Sequence, residues 1–152
     1  MNIFVLDLDP QLAAQYQVDK HVVKMVLESA QLLCSAYPDG VAPYKRTHYN
    51  HPCSQWTRAA LANWQWLLKH AYALSAEYTF RYSKVHKSHA VLDWLNNNPP
   101  NLPEASQTPF AQCMPDVYKN PDPVVAYRAY YCGAKRHIAS WNKSRSRPIW
   151  YE

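Results

Sequence analysis

His21, Lys24, Glu28, Gln31 and Ser35 recur at three- and four-residue steps through an otherwise apolar stretch. On a helix that spacing puts an acid, a base and a cation on one face. A carboxylate in the middle of an amphipathic helix, next to Leu27, is a candidate for partial burial and an altered pKa. Glu28 is therefore the first candidate for chemistry, with Lys24 one turn and His21 almost two turns before it. The plainer alternative is a solvated face with one Lys24–Glu28 pair, worth roughly a few tenths of a kcal/mol. The uncharged Gln31 and Ser35 extend the stripe beyond what solubility requires, which points to a lined cleft.

Three basic groups give that face a possible substrate. From Lys135 to Arg147 the chain carries Lys135, Arg136, Lys143, Arg145 and Arg147 and no acid, with Trp141, Trp150 and Tyr151 interleaved or following. Cations attract backbone phosphates, and flat rings stack on bases or wedge between them. The stretch from Lys45 to Pro52 holds Lys45, Arg46, His48, Asn50 and His51 just before a helix start, where free N–H groups favour a phosphate. A polar turn whose histidines cap local structure is an equal alternative there. Glu77, Arg81, Lys84 and Lys87 form the third group, read either as an ion pair with phosphate contacts or as a surface salt-bridge ladder.

Composition bounds the answer. The 152 residues carry a formal net charge of +5, which favours acidic partners without proving nucleic acid. Glycine occurs only twice, at Gly40 and Gly133, so a glycine-rich phosphate loop is excluded. Cys34, Cys53, Cys113 and Cys132 form no CxxC pair and read as buried thiols of an intracellular protein. His48 and His51 lack an obvious third ligand, so no metal and no cofactor is expected; a zinc site assembled from distant Cys and His is the minor alternative. No apolar run reaches membrane-spanning length, and the first ten residues do not form a signal peptide.

The elements that must position these residues are helical. Ile3 to Leu8 reads as a short strand or extended segment, Asp9 with Pro10 as a cap and first turn, and Pro10 to Tyr16 as a short helix. Asp19 caps a long helix to about Tyr37, buried through Val22, Val26, Ala30 and Leu33 and widened by Val23 and Leu27. A second long helix runs from about Cys53 to Tyr82 and a shorter one from Lys87 to Asn97. The last helix runs from Pro121 or Pro123 to about Ser140. Asn98 to Pro115 is proline-rich but holds Leu102, Phe110, Cys113 and Met114, so it is expected to be an ordered loop on the helices. The expectation is one all-α domain over residues 1–152, with three to four main helices, acting as a monomer.

At this point the chain resembles the pyrimidine-dimer DNA glycosylases of the phage endonuclease V type. In that family a histidine precedes a catalytic glutamate by seven residues on a long helix near the N-terminus, and His21 and Glu28 are similar in order and spacing. The basic, aromatic tail ending in Arg147, Pro148, Ile149, Trp150 and Tyr151 and the Asn50-His51-Pro52 step carry the rest of the likeness. The resemblance implies a DNA N-glycosylase with coupled lyase activity, working in the cytoplasm or on the nucleoid. A terminal amine attacks C1′, and a carboxylate stabilises the sugar intermediate. The family exposes a small residue after its methionine is removed; Asn2 here leads to the expectation that Met1 stays and supplies the amine. Leu27 and Gln31 stand where the family has arginines, leaving Lys24 as the nearby cation or a rival amine. The other readings are a nucleotide- or nucleoside-modifying enzyme and a non-catalytic nucleic-acid-binding protein.

Overall fold

Three helices begin on the same device, a side-chain acceptor followed by proline. Asp9 accepts from the Gln11 amide at 2.8 Å, His51 from Cys53 at 3.1 Å and Asp122 from Val124 at 2.9 Å, with Pro10, Pro52 and Pro123 at the first helical position. The computed structural model describes residues 1–152 and is all-α, without a strand. Its helices are α1 (Pro10–Gln15), α2 (Asp19–Cys34), α3 (Pro52–Ala59), α4 (Leu61–Tyr82), α5 (His89–Asn97) and α6 (Pro123–Cys132). Short 3₁₀ turns follow at Asp116–Tyr118 and Arg136–Ile138. Helix α4 is the spine, packed along α1 and α2, with α3 leading into it and α5 running back alongside it, Ser75 meeting His89 and Tyr72 meeting Asp93. No helix is long and apolar enough to cross a membrane.

Six helices replace the three or four expected, and the extra break lies between α3 and α4. Ala60 is fully extended, with φ −154° and ψ 147°. The proline-rich loop supplies what the broken helix loses. Pro103 O accepts from Leu61 N at 2.8 Å, while the Asn63 amide bridges Trp56 O at 2.7 Å and Thr108 Oγ1 at 2.8 Å. Phe110 from the same loop stacks on Trp56 at 4.9 Å and meets Trp66 edge-on at 4.8 Å. The loop is therefore ordered and packed, as its apolar residues indicate.

Other boundaries shift for equally local reasons. Asp19 does not cap α2; it is the first helical residue, and its carboxylate accepts from Arg81 at 3.0 Å and from the Asn142 amide at 2.8 Å. Val23 and Leu27 face outward, while Met25 and Leu32 take the core positions. The last helix ends at Cys132, not near Ser140, because Gly133 lies against the Tyr118 ring and Trp141 turns back to donate to Tyr16 O at 3.0 Å. Ile3 to Leu6 is buried but pairs with no strand; the Leu6 amide turns back to Phe4 O at 2.9 Å, and Arg128 Nε donates to Leu6 O at 2.9 Å.

Two buried imidazoles make the fold acid-sensitive. Burial lowers His21 to about 3, with the Lys135 and Lys24 charges adding to the effect, and burial lowers His70 to about 4. Both fold as neutral rings, whereas an unfolded histidine takes a proton near pH ~6.5. Below that pH the unfolded chain binds more protons, so stability is complete above it and falls as pH drops toward 4. Urea midpoints measured across that range should fall, and His70→Asn should flatten part of the slope. Midpoints independent of pH would contradict neutral burial.

Candidate active site

Helix α2 and the N-terminal segment meet over one cavity. Met25, Val26, Ala30 and Leu33 seat α2 in the core, which turns His21, Lys24 and Glu28 to the flank where the chain begins. The segment Ile3–Leu6 runs beside them and ends the chain against Glu28. The Met1 nitrogen lies 3.1 Å from Glu28 Oε1, and the Met1 side chain is only 2% exposed, so the amine is anchored by its own residue. The cavity is about 240 Å³ and is lined by Met1, Asn2, Phe4, His21, Lys24, Met25, Glu28, His51, Cys113, Tyr130 and Lys135.

Each wall group has a fixed role in the geometry. Glu28 Oε2 is shielded from solvent and makes no hydrogen bond; Lys24 Nζ stands off at 3.7 Å on a largely exposed side chain. That oxygen is a buried acceptor without a hydrogen-bond donor, on a residue that lines the cavity. His21 stacks on Phe4 at 4.2 Å, and its Nδ1 lies 2.6 Å from the Tyr131 hydroxyl. The Val18 amide donates to that hydroxyl at 3.4 Å, which directs the phenolic hydrogen at His21 Nδ1. A neutral ring accepting at Nδ1 carries its hydrogen on Nε2, so His21 is a fixed donor rather than a charged acid.

Residue 2 is clamped. Asn2 donates to Cys113 O at 2.8 Å and accepts from Ile3 N at 2.9 Å and from the Tyr127 hydroxyl at 2.8 Å. This clamp holds the amine in place and had no signal in the sequence, since its partners lie more than 100 positions away. Tyr127, Tyr130, Tyr131 and Phe4 are likewise site residues that composition alone reads as core.

The proposed phosphate ligands separate into two sets. Lys135 reaches the cavity wall, His51 lies on it, and Lys45, Arg46, His48 and Asn50 are exposed on the adjoining loop. Arg58, which carried no signal in the sequence, stands beside them half-buried: it donates to Tyr49 O at 2.7 Å and its guanidinium lies 3.7 Å from the Tyr49 ring, with Arg46 at 4.6 Å. Lys84, Lys87, Lys143 and Arg147 are also exposed. Four others are corrected. Arg81 is fully buried, bonded to Glu77 at 2.8 Å, Asp19 at 3.0 Å and the carbonyls of Gln15 and Gln17, so it cannot reach a phosphate. Arg145 grips Glu77 through two bonds of 2.7 and 3.0 Å. Burial alone would raise Glu77, but those bonds from Arg145 and Arg81 outweigh it and hold the carboxyl below its ordinary range. Tyr151 is buried against Trp141, and Trp150 packs among Tyr16, Tyr131 and Arg128, so neither ring is free to stack on a base.

A larger groove of about 580 Å³ runs between α1 and α4 past Lys69, Tyr72 and Phe80. Its two carboxylates are Asp9, which caps α1, and Glu77, which two arginines engage, so the groove lacks the α-amine–carboxylate pair of the smaller cavity. Metal-type ligands gather in one place only. His51, Cys53 and Cys113 place ligand atoms within 4.8 Å of one another. His51 Nδ1 already accepts the Cys53 amide, and the two sulfurs are 3.3 Å apart. Two thiolates on a tetrahedral zinc stand roughly 3.8 Å apart for bonds of about 2.3 Å. The arrangement fits a hydrogen-bonded dithiol better than a metal centre.

Searches of family models, curated proteins and solved structures found no match to this chain.

Proposed function

We propose that this protein is a DNA N-glycosylase with coupled abasic-site lyase activity, acting through the Met1 amine. The observation that carries the reading is the α-nitrogen 3.1 Å from a shielded carboxylate inside a cavity. An α-amine titrates near ~8 against ~10.4 for lysine, so more of it is neutral and nucleophilic at physiological pH. Lys24 is therefore the weaker choice, and its amine is mostly in solvent.

The neutral amine attacks C1′ of an extruded nucleotide, and the glycosidic bond breaks with its electron pair leaving on the base. The Glu28 carboxylate stabilises the positive charge developing on the sugar while it is ionised, and Oε1 then receives the proton of the ammonium formed by the attack. His21 Nε2–H donates to the leaving base or the sugar oxygen. Ring opening leaves an imine between Met1 and C1′. Loss of a C2′ proton then expels the 3′ phosphate. The resemblance to the pyrimidine-dimer glycosylases supports this scheme. Extrusion costs a few kcal/mol, roughly, and least at a damaged or mispaired base.

Cations beside the cavity supply the backbone contacts. Changing Lys45, Arg46 and Arg58 to glutamine should weaken binding across unrelated duplexes and flatten the salt dependence by up to about one unit of slope per lost contact. The same change at Lys143 and Arg147 measures what the tail contributes. Unchanged affinity and slope in both sets would contradict a DNA substrate and favour free nucleotides or nucleosides.

A further inference from the structure

Cys53 opens α3 and Cys113 lies in the proline-rich loop, 60 positions apart, yet their sulfurs are 3.3 Å from each other. They sit directly beneath residue 2. Asn2 donates to Cys113 O at 2.8 Å, and its Oδ1 lies 3.8 Å from the Cys53 sulfur. The Tyr127 hydroxyl closes the knot, bonded to Asn2 Oδ1 and Ala111 O at 2.8 Å each, with the Cys113 amide donating to it at 3.2 Å. Cys113 lines the cavity, whereas Cys53 is fully buried.

We propose that Cys53 and Cys113 are a redox-active dithiol whose oxidation to a disulfide displaces residues 1 and 2 and withdraws the Met1 amine from Glu28. The oxidant is a peroxide or a low-molecular-weight disulfide entering by the cavity. Accessibility sets the order. The Cys113 sulfur attacks one peroxide oxygen, the O–O bond breaks, and the departing hydroxide takes a proton to become water. The Cys53 sulfur then attacks the Cys113 sulfenic sulfur and expels hydroxide, which the Cys53 thiol proton converts to a second water. Two thiols lose two hydrogens, and the peroxide is reduced to two waters. A hydrogen bond from the Cys53 thiol lowers Cys113 to about 7, and that same bond together with burial pushes Cys53 up, so the accessible sulfur is also the more nucleophilic.

Closing the sulfurs to a bond of about 2.05 Å draws them together by roughly 1.2 Å. Cys53 is held in α3, so the loop residue moves and carries its carbonyl, the Asn2 acceptor, with it. The clamp on residue 2 is thus rebuilt by oxidation. The consequence for activity rests on the amine reading above; the cross-link itself does not.

The test uses the intact folded chain. Treatment with hydrogen peroxide, or with glutathione disulfide, is followed by digestion without reduction and by peptide mass mapping. The expected product joins the Cys53 and Cys113 peptides, while Cys34 and Cys132 remain alkylatable. In Cys53→Ser the reaction should stop at a Cys113 sulfenic acid or glutathione adduct. Reductive labelling of the Met1 amine with formaldehyde and cyanoborohydride should become several-fold faster after oxidation, and should not change in Cys113→Ala. This labelling needs no DNA, so its outcome is separate from that of the glycosylase reading. Preferential oxidation of Cys34 or Cys132, or an adduct on Cys113 that never resolves in the parent chain, overturns the dithiol. Unchanged Met1 labelling after complete cross-linking overturns the displacement.

Discussion

Glu28→Gln should lower turnover on a glycosylase substrate by at least about 10²-fold, the scale on which positioned acid–base and charge-stabilising groups act. The substitution keeps the size of the side chain and the acceptor facing Met1, but loses the charge that receives the ammonium proton. Folding should suffer little. One pair of modest worth is weakened, and about 1 kcal/mol shifts the melting temperature of a chain this long by roughly 2–4 °C. DNA affinity should hold, because the exposed cations are untouched. A normally folded, fully active variant would remove Glu28 from the chemistry and the proposed mechanism with it.

Arg81→Ala has the opposite profile. It should destabilise by about 3–5 kcal/mol, because Glu77 and Asp19 lose a buried partner and the Gln15 and Gln17 carbonyls lose their donor. Against a total stability of about 5–15 kcal/mol that is a large share, and the melting temperature should fall by roughly 10 °C or more. Arg81→Lys keeps the charge but not the fork, so it should lie between the two. Binding measured on the folded fraction should be unchanged. An unaltered melting temperature with weakened DNA binding would show that Arg81 meets phosphate after all.

These two residues also mark where sequence reasoning succeeds and where it stops. His21, Lys24 and Glu28 share a helix, and periodicity alone puts them on one face. The structure does bring them to one cavity with Met1. Gln31, still on α2, does not line the cavity, and Ser35 falls past the helix end at Cys34, its hydroxyl donating to Leu32 O at 2.6 Å. Arg81 and Arg145 looked like phosphate ligands because charge in a sequence carries no partner. Here both converge on Glu77, and Arg81 also reaches Asp19, across more than 60 positions. The break at Ala60 has no glycine or proline to announce it; it exists because Pro103 and Thr108 arrive from a distant loop to satisfy the exposed groups. The Cys53–Cys113 contact was invisible for the same reason. Helical class and the local faces of α2 and α4 follow from short-range patterning, whereas the clamp on Asn2 and the docked tail depend on tertiary contacts.

The central claim is that the Met1 amine is the nucleophile, and one measurement addresses it most directly. The full chain is incubated with DNA bearing an abasic site or a damaged pyrimidine, reduced with borohydride, digested and mapped by mass spectrometry. The account requires a covalent adduct that forms only on reduction, carried by the N-terminal peptide at the Met1 nitrogen, and absent when that amine is acetylated beforehand. Attachment at Lys24 would contradict the choice of amine. No adduct with any of these DNAs would contradict the imine mechanism as a whole.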